Sequence, residues 1–381
     1  MKVLLIGNGT HLNFINSVKF IRSEEDISFD VFSYKYINPE STVVYGHVYN
    51  ARKRKDRYIK KLYKKKLKYE KKLIKKRFER IRNSYDIIHI HFLEKHTEFL
   101  MNNLLNSSSK LIISIWGSDF YKKSLDELNK YISLFNKASL ITFTSKETLK
   151  EFKKNLNVNT PLVTQPFGLA LIDYLHHNKY TKEKAKKILG LNNSFTITVG
   201  TNGRRMQNHI EIFEAINSVI NYLPHKTKIL LPLTYKREKE HLAAIKKYIK
   251  ENKNIDFVLF EEFMYNHQLA LLSSATDVLI QVQNTDQFSG TMLEHIYAGS
   301  KIITGSWLPY KILIEKGIPL NLVEKVEDVG KKIIEIKDQE NFNLEHQQNV
   351  VWELSSWSSN ANKWVTLYRN VINDNDIFLN K

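Results

Sequence analysis

No cysteine occurs among the 381 residues, which excludes disulfides, thiol nucleophiles and the common cysteine-ligated zinc sites. Equally absent is any run approaching the roughly 20 apolar residues that a membrane-spanning helix needs. Any work at a membrane would therefore be done from its surface. The first residues, Met1-Lys-Val-Leu-Leu-Ile-Gly-Asn-Gly9, form an apolar run too short for a secretory signal and read as a buried strand ending in a glycine turn. A cytoplasmic protein is expected, with peripheral contact to the inner face of a membrane as an option.

An excess of charge of one sign is lacking everywhere but in one segment. The net charge is +18, yet residues 51–82 hold eighteen Lys or Arg against Asp56, Glu70 and Glu79, so the remainder is close to balanced. That distribution, with no accompanying recognition motif, argues against a nucleic-acid partner. The basic segment has no Gly or Pro, and Ile59, Leu62, Tyr63, Leu67, Ile74, Phe78 and Ile81 fall mostly three or four apart. This spacing predicts a long basic amphipathic helix or helical hairpin inserted at 51–84. Its basic face over 52–82 suits an anionic membrane surface, and a solvated helix packed on its own domain or on a partner's acidic patch explains the pattern equally well.

Hydrophobic residues make up 42% of the chain, enough for two domains with separate cores. Short apolar runs alternate with amphipathic helical stretches, the pattern of an α/β protein with parallel sheets. Strands are expected at 3–6, 30–33, 87–90, 111–115, 140–144 and 162–165, then at 195–199, 228–231, 256–260, 278–281 and 302–304. Two Rossmann-like halves follow, spanning 1–168 and 169–356. Residues 357–381 are expected to form a helix with one aromatic face that packs back on the first domain.

The densest chemistry lies in Asp286-Gln-Phe-Ser-Gly-Thr-Met-Leu-Glu294, followed by His295-Ile-Tyr-Ala-Gly299. Two carboxylates stand eight residues apart, with Ser289, Gly290 and Thr291 between them where a loop should become a helix. Free backbone N–H groups at such a junction can meet an anion. A carboxylate such as Glu294 suits a ribose diol, and Asp286 could hold sugar hydroxyls. Arg204 and Arg205, just beyond the strand at 195–199, stand where a guanidinium could grip a diphosphate. Taken singly, a helical Glu or a loop Arg more often meets only water. Their order after successive strands is what points to a nucleotide-sugar site.

The motif Asp286-x7-Glu294 with Tyr297-Ala-Gly299 resembles the E-x7-E motif of the retaining GT-B glycosyltransferases, with Asp in place of the first Glu. Further signatures fall in the family's order: Gly7-Asn-Gly9, Asp86-Ile-Ile-His-Ile-His91, Trp116-Gly-Ser-Asp119, Thr144-Ser145-Lys-Glu147 and Ala275-Thr-Asp277. In the second half, Val199-Gly-Thr-Asn-Gly-x4-Asn208-His209-Ile-Glu211 and Leu231-Pro-Leu-Thr-Tyr235 are similar to the inverting lipid-linked acetamidodideoxygalactose transferases, also GT-B.

The resemblance implies two Rossmann-like domains facing a cleft and a metal-independent hexosyl transfer without cofactor. The donor would be a nucleoside-diphosphate sugar and the acceptor a saccharide or lipid-linked saccharide of bacterial surface glycan synthesis. Glu294 would bind ribose, Asp286 the transferred sugar, and the backbone of Phe288, Ser289, Gly290 and Thr291 the sugar and phosphates. Gly9, Asn208 and Phe263 join the expected donor contacts, Phe263 through the loop 261–265 near the base. Where the family carries a Lys the chain has Gln207, which leaves Arg204 and Arg205 as the phosphate grips; where the family often has a His it has Trp116. A retaining enzyme needs no protein base, whereas an inverting one would draw on His91, His11 or Glu94, His91 being the expected catalytic residue among them. The Asp-for-Glu change and the missing Lys also fit an inactive partner subunit.

Overall fold

The computed structural model describes residues 1–38, 44–51, 66–286, 288–339 and 343–374. Residues 52–65 of the basic segment, Gln287 and the tail beyond 374 lie outside the described residues. The chain forms two compact units, one of Met1–Gly168 together with the helix Trp357–Ile372, the other of Leu169–Ser356.

In the first unit the strands are Lys2–Gly7 (β1), Ser28–Ser33 (β2), Val48–Asn50 (β3), Ile87–His91 (β4), Lys110–Ile115 (β5), Leu140–Phe143 (β6) and Leu162–Thr164 (β7). They pair in parallel in the order β3-β2-β1-β4-β5-β6-β7. The second unit has Phe195–Val199 (β8), Thr227–Pro232 (β9), Asp256–Phe260 (β10), Val278–Gln281 (β11), Lys301–Gly305 (β12) and Leu320–Val323 (β13). Its order, β10-β9-β8-β11-β12-β13, repeats the doubly wound pattern. In both sheets the strand order reverses beside the first strand, and the crevice this leaves at the strands' carboxyl ends is where such folds bind ligands.

Central strands of a parallel sheet are covered on both faces, so they read as nearly unbroken apolar runs. In the second unit Ile197, Val199, Ile280 and Ile303 enter one core, while the intervening Leu279 and Ile302 enter the core on the other face with Met292 and Tyr297. The two strands that the apolar pattern did not predict, β3 and β13, are both edge strands. All of β3 is half-buried, and only Val323 of β13 is buried, so neither carries a long apolar run.

The helix Trp357–Ile372 lays Trp357, Ala361, Trp364, Val365 and Tyr368 on one buried face, at the three-and-four spacing a helix demands. Trp357 stacks on Phe20 at 5.8 Å, Trp364 stacks on Phe167 at 5.1 Å, and the Tyr368 hydroxyl meets His89 Nδ1 at 2.8 Å, all inside the first unit.

The described part of the basic segment is the helix Lys66–Glu79. Its apolar residues Ile74 and Phe78 are fully buried in the first unit's core, with Phe78 edge-on to Phe32 at 5.3 Å. Lys71 places its ammonium 5.0 Å above the Phe99 ring of the helix Lys95–Leu105. At Ile74 and Phe78 the apolar side of this helix is therefore spent on its own domain.

Candidate functional site

The crevice of the second unit is built from the turns that follow β8, β9 and β11. Gly200 leaves β8 at φ +66°, a conformation that glycine adopts without steric cost. Gln207 is buried, and its Oε1 accepts the Thr201 N–H at 2.9 Å, closing the turn on itself. At Asn208 the backbone is left-handed, and the side-chain amide donates to Val282 O at 2.9 Å and Asn284 Oδ1 at 2.8 Å. Asn284 N–H returns a bond to Met206 O at 3.2 Å. The turns after β8 and β11 are thus stitched together across the point where strand order reverses.

These bonds define two side chains. Gln207, standing where a Lys is usual, is a staple of the loop. Asn208, expected to touch the donor, uses both amide hydrogens to hold the loops and so positions the site. A methyl group at residue 200 would come within 2.9 Å of His209 Nε2 and 3.2 Å of Gln207 Oε1. Gly200→Ala is expected to cost about 1–2 kcal/mol of stability from the left-handed backbone and to weaken donor binding through the displaced turn. Urea denaturation and donor titration on one preparation would check both.

Tyr235 follows β9 and closes over this turn. Its carbonyl accepts the Gly203 N–H at 3.2 Å, and its hydroxyl bonds the side chains of Asn202 and Thr201. Burial raises its pKa; among the charges felt at the hydroxyl, Glu294 raises it further and Arg204 lowers it. Arg204, Tyr235 and Glu294, far apart in sequence, therefore converge. Arg204 is half-buried and Arg205 exposed. The guanidinium of Arg205 acts on His241 in the helix Lys239–Glu251, and its backbone N–H donates to Glu238 Oε2 at 3.2 Å. The two arginines face different neighbours, and Arg204 is the one that shares Tyr235 with Glu294.

Glu294 lies on the helix Gly290–Tyr297. It is half-buried, and desolvation of the carboxyl pushes its pKa up to about 7. Among the described residues no group donates a hydrogen bond to its carboxylate. An unpaired, desolvated carboxylate is costly unless something binds it. At the start of the same helix Ser289 is the N-cap, its Oγ accepting the Met292 N–H at 3.3 Å. The N–H groups of Gly290 and Thr291 have no partner among the described residues, so this helix end can receive an anion.

Asp286 is braced rather than open. Its Oδ2 accepts from Gln283 Nε2 at 2.5 Å, from Gln281 Nε2 at 3.2 Å and from the Tyr310 hydroxyl. Phe288 packs near Tyr310, with ring centroids 6.3 Å apart. These contacts fix the loop that leads to Ser289. Beyond β10, Phe263 is 56% exposed with its ring 5.1 Å from Tyr265, a pair of aromatic faces open to solvent.

In the first unit two expected residues are engaged within the core. Gly9 is buried, its N–H donating to Ser33 Oγ at 3.1 Å and its carbonyl accepting the Tyr45 hydroxyl at 2.9 Å, so its N–H is already spent within the domain. His91 is enclosed by Phe14, His89, Trp116 and Phe167 with both ring nitrogens buried, and burial pushes its pKa down to about 3. Such an imidazole stays neutral and out of reach, ill-suited to act as a base. Glu94 caps the helix Lys95–Leu105 beside His96, and His11 is exposed, with its ring 5.3 Å from that of Trp116.

Tyr235 is the residue that sequence reasoning left without a role. Its one sequence signal is its place just beyond Pro232, the last residue of β9, where side chains meet the crevice.

Residues 2–145 match the family model described as glycosyl transferase 4-like, which covers most of the first unit. No curated protein matches the chain in sequence. In structure the chain is similar to a glycosyltransferase from Rickettsia africae ESF-5, with TM-score 0.74 at 13% identity over 97% of this chain and 98% of that one. It is also similar to Alr3699/HepE of Anabaena in complex with UDP, with TM-score 0.70 at 13% identity over 97% and 100%. Sucrose-phosphate synthase of Thermosynechococcus elongatus aligns with TM-score 0.68 at 13% identity over 98% and 100%. At such identities the likeness establishes the fold, which is GT-B. With the family match over the first unit, it supports a GT-B glycosyltransferase.

Proposed function

We propose that this chain transfers a hexosyl group from a nucleoside-diphosphate sugar to a saccharide or lipid-linked saccharide, with retention at the anomeric carbon and without a metal or other cofactor. The observation that carries the reading is the convergence of Arg204, Tyr235 and the unpartnered Glu294 beside an open helix N-terminus. Structural neighbours captured with UDP and with UDP-glucose support the same ligand class.

Each part of the donor meets a matching group. The ribose diol donates to Glu294. The diphosphate meets the Gly290 and Thr291 N–H groups and the Arg204 guanidinium. Asp286, held by Tyr310 and the two glutamines, contacts the transferred sugar, and Phe263 flanks the base. As the bond from the anomeric carbon to the phosphate oxygen breaks, the electron pair leaves with the nucleoside diphosphate. Arg204 and the helix N-terminus, already aimed, stabilise that growing charge. The acceptor oxygen bonds to the anomeric carbon, and its proton passes to the departing phosphate.

The burial of Ile74 and Phe78 in the first unit favours a helix that touches an anionic leaflet through lysines alone, without inserting. Peripheral attachment at the cytoplasmic face, serving surface glycan synthesis, is the setting that this chemistry suits.

The decisive experiment is a thermal-shift and hydrolysis screen against UDP-, GDP- and TDP-sugars. At least one of them is expected to stabilise the protein and to be hydrolysed slowly, with NMR of the transferred product showing the donor's anomeric configuration. A screen in which no nucleotide sugar binds would sink the reading, and an inverted product would overturn the retaining part of it.

A further inference from the structure

The second unit also holds a cavity of about 950 Å³ at the end of its sheet opposite the crevice. Ligands of open α/β sheets ordinarily bind at the carboxyl ends of strands. This cavity sits at the amino ends of β8, β11 and β12, marked by Phe195, Asp277 and Lys301, and is closed by the helices Ala170–Asn178, Lys182–Ile188 and Leu344–Ser355. Its volume is in the range of roughly 300–1,000 Å³ typical of small-molecule sites.

The lining combines ammonium groups with aromatic rings. Lys179, Lys182, Lys301 and Lys337 line it, against Asp277 and Glu183. Asp277 is shared by Lys182 at 3.1 Å and Lys186 at 2.5 Å, and Lys337 pairs with Asp338. Lys301 donates only to the carbonyls of Ile336 at 2.9 Å and Lys337 at 3.3 Å, and Lys179 has no partner among the described residues. Among the described residues five ammonium groups, Lys179, Lys182, Lys186, Lys301 and Lys337, thus share three carboxylates, Asp277, Asp338 and Glu183, an excess of about two positive charges by formal charge. The Lys301 pKa is lowered, first by burial and next by the charge of Lys182, while Asp277 and Asp338 act the other way. Tyr180 and Trp352 also line it, the latter with the His176 ring at 4.3 Å, while His176 Nδ1 lies 2.8 Å from the Tyr297 hydroxyl.

We propose that this cavity binds a phosphate monoester carried on a ring, its phosphate between Lys179, Lys301 and Lys337 and its ring against Trp352 and Tyr180. A monoester near neutral pH carries a charge of about −1.5 to −2, which matches the excess. The aromatic faces give a ring somewhere to rest that a bare anion would not use. The cavity shares no residue with Arg204, Tyr235 or Glu294, so the proposal stands apart from the donor-site reading.

The probe is glucose 6-phosphate, titrated into the full chain while intrinsic tryptophan fluorescence and melting temperature are followed, with glucose and inorganic phosphate in parallel. Saturable binding of the monoester is expected, with weaker binding of inorganic phosphate and none of glucose. In the Lys179→Gln/Lys337→Gln variant the affinity is expected to fall at least about tenfold, since a hydrogen bond to a charged group contributes roughly 1.5–3 kcal/mol. Arg204→Ala is expected to leave the affinity unchanged. Circular dichroism verifies the fold, and Lys179→Gln alone, at an exposed position, serves if the double variant is unstable. The proposal is overturned by absence of saturable binding, by inorganic phosphate binding as tightly as the monoester, or by unaltered affinity in the lysine variants.

Discussion

Arg204→Ala is expected to lower turnover about 10²–10³-fold, the loss typical of removing one preorganised donor from a developing oxyanion. Arg205→Ala is expected to lose less than about tenfold, because its guanidinium is exposed and lies near His241. Neither change should disturb folding, since neither guanidinium forms an ion pair among the described residues. Steady-state rates on a hydrolysable nucleotide sugar, with melting temperatures measured beside them, would check this. Equal losses from the two variants would remove the distinction drawn between them, and wild-type turnover in Arg204→Ala would remove the catalytic role.

Glu294→Gln is expected to weaken donor binding by tenfold or more and yet to make the empty protein more stable above neutral pH. The first effect follows from losing charge-assisted acceptance of two ribose hydroxyls. The second follows from proton linkage. Burial raises the folded pKa from 4.5 to about 7. Between those values the unfolded chain has already released the proton while the folded chain still holds it, so wild-type stability falls as pH rises through this window. Above about pH 7 the full penalty is present, and glutamine, which cannot ionise, escapes it. Allowing for solvent near the carboxyl, the gain should be on the order of 1–2 kcal/mol, or a few degrees in melting temperature. At pH 4 the two proteins should melt alike. Donor affinity should run the other way, rising from pH 6 to 8 in the wild type and staying flat in Glu294→Gln. A variant that is less stable than wild type at pH 8 would show that Glu294 is paired in solution and not waiting for a ligand.

These expectations show how much was legible beforehand. The α/β class and the central strands could be read because a doubly covered parallel strand must be apolar nearly throughout, as in Phe195–Val199 and Val278–Gln281. Val48–Asn50 and Leu320–Val323 escaped because an edge strand is only partly buried and leaves little apolar trace. The basic helix was legible as amphipathic, but periodicity says only that one face is apolar, not what covers it. Packing answered that for the described part, with Ile74 and Phe78 in the first unit's own core.

The candidate site divides in the same way. Sequence order alone was enough to place Arg204, Ser289, Gly290 and Glu294 after successive strands, since strand ends in a parallel sheet all deliver their loops to one edge. It also marked Gly9, His91, Asn208 and Asp286 by residue type. Tertiary structure decided what each of them is free to do. Gly9 has given its N–H and carbonyl to Ser33 and Tyr45, Asn208 its amide to the neighbouring loop, and Asp286 one oxygen to Tyr310 and two glutamines. His91 is walled in by rings. Residue type and spacing therefore determined the fold class and the chemistry available at the strand ends. Which arginine faces Tyr235, and that Glu294 is left desolvated and unpaired, depend on burial and on partners distant in the chain, and these exist only once the sheet has brought them together.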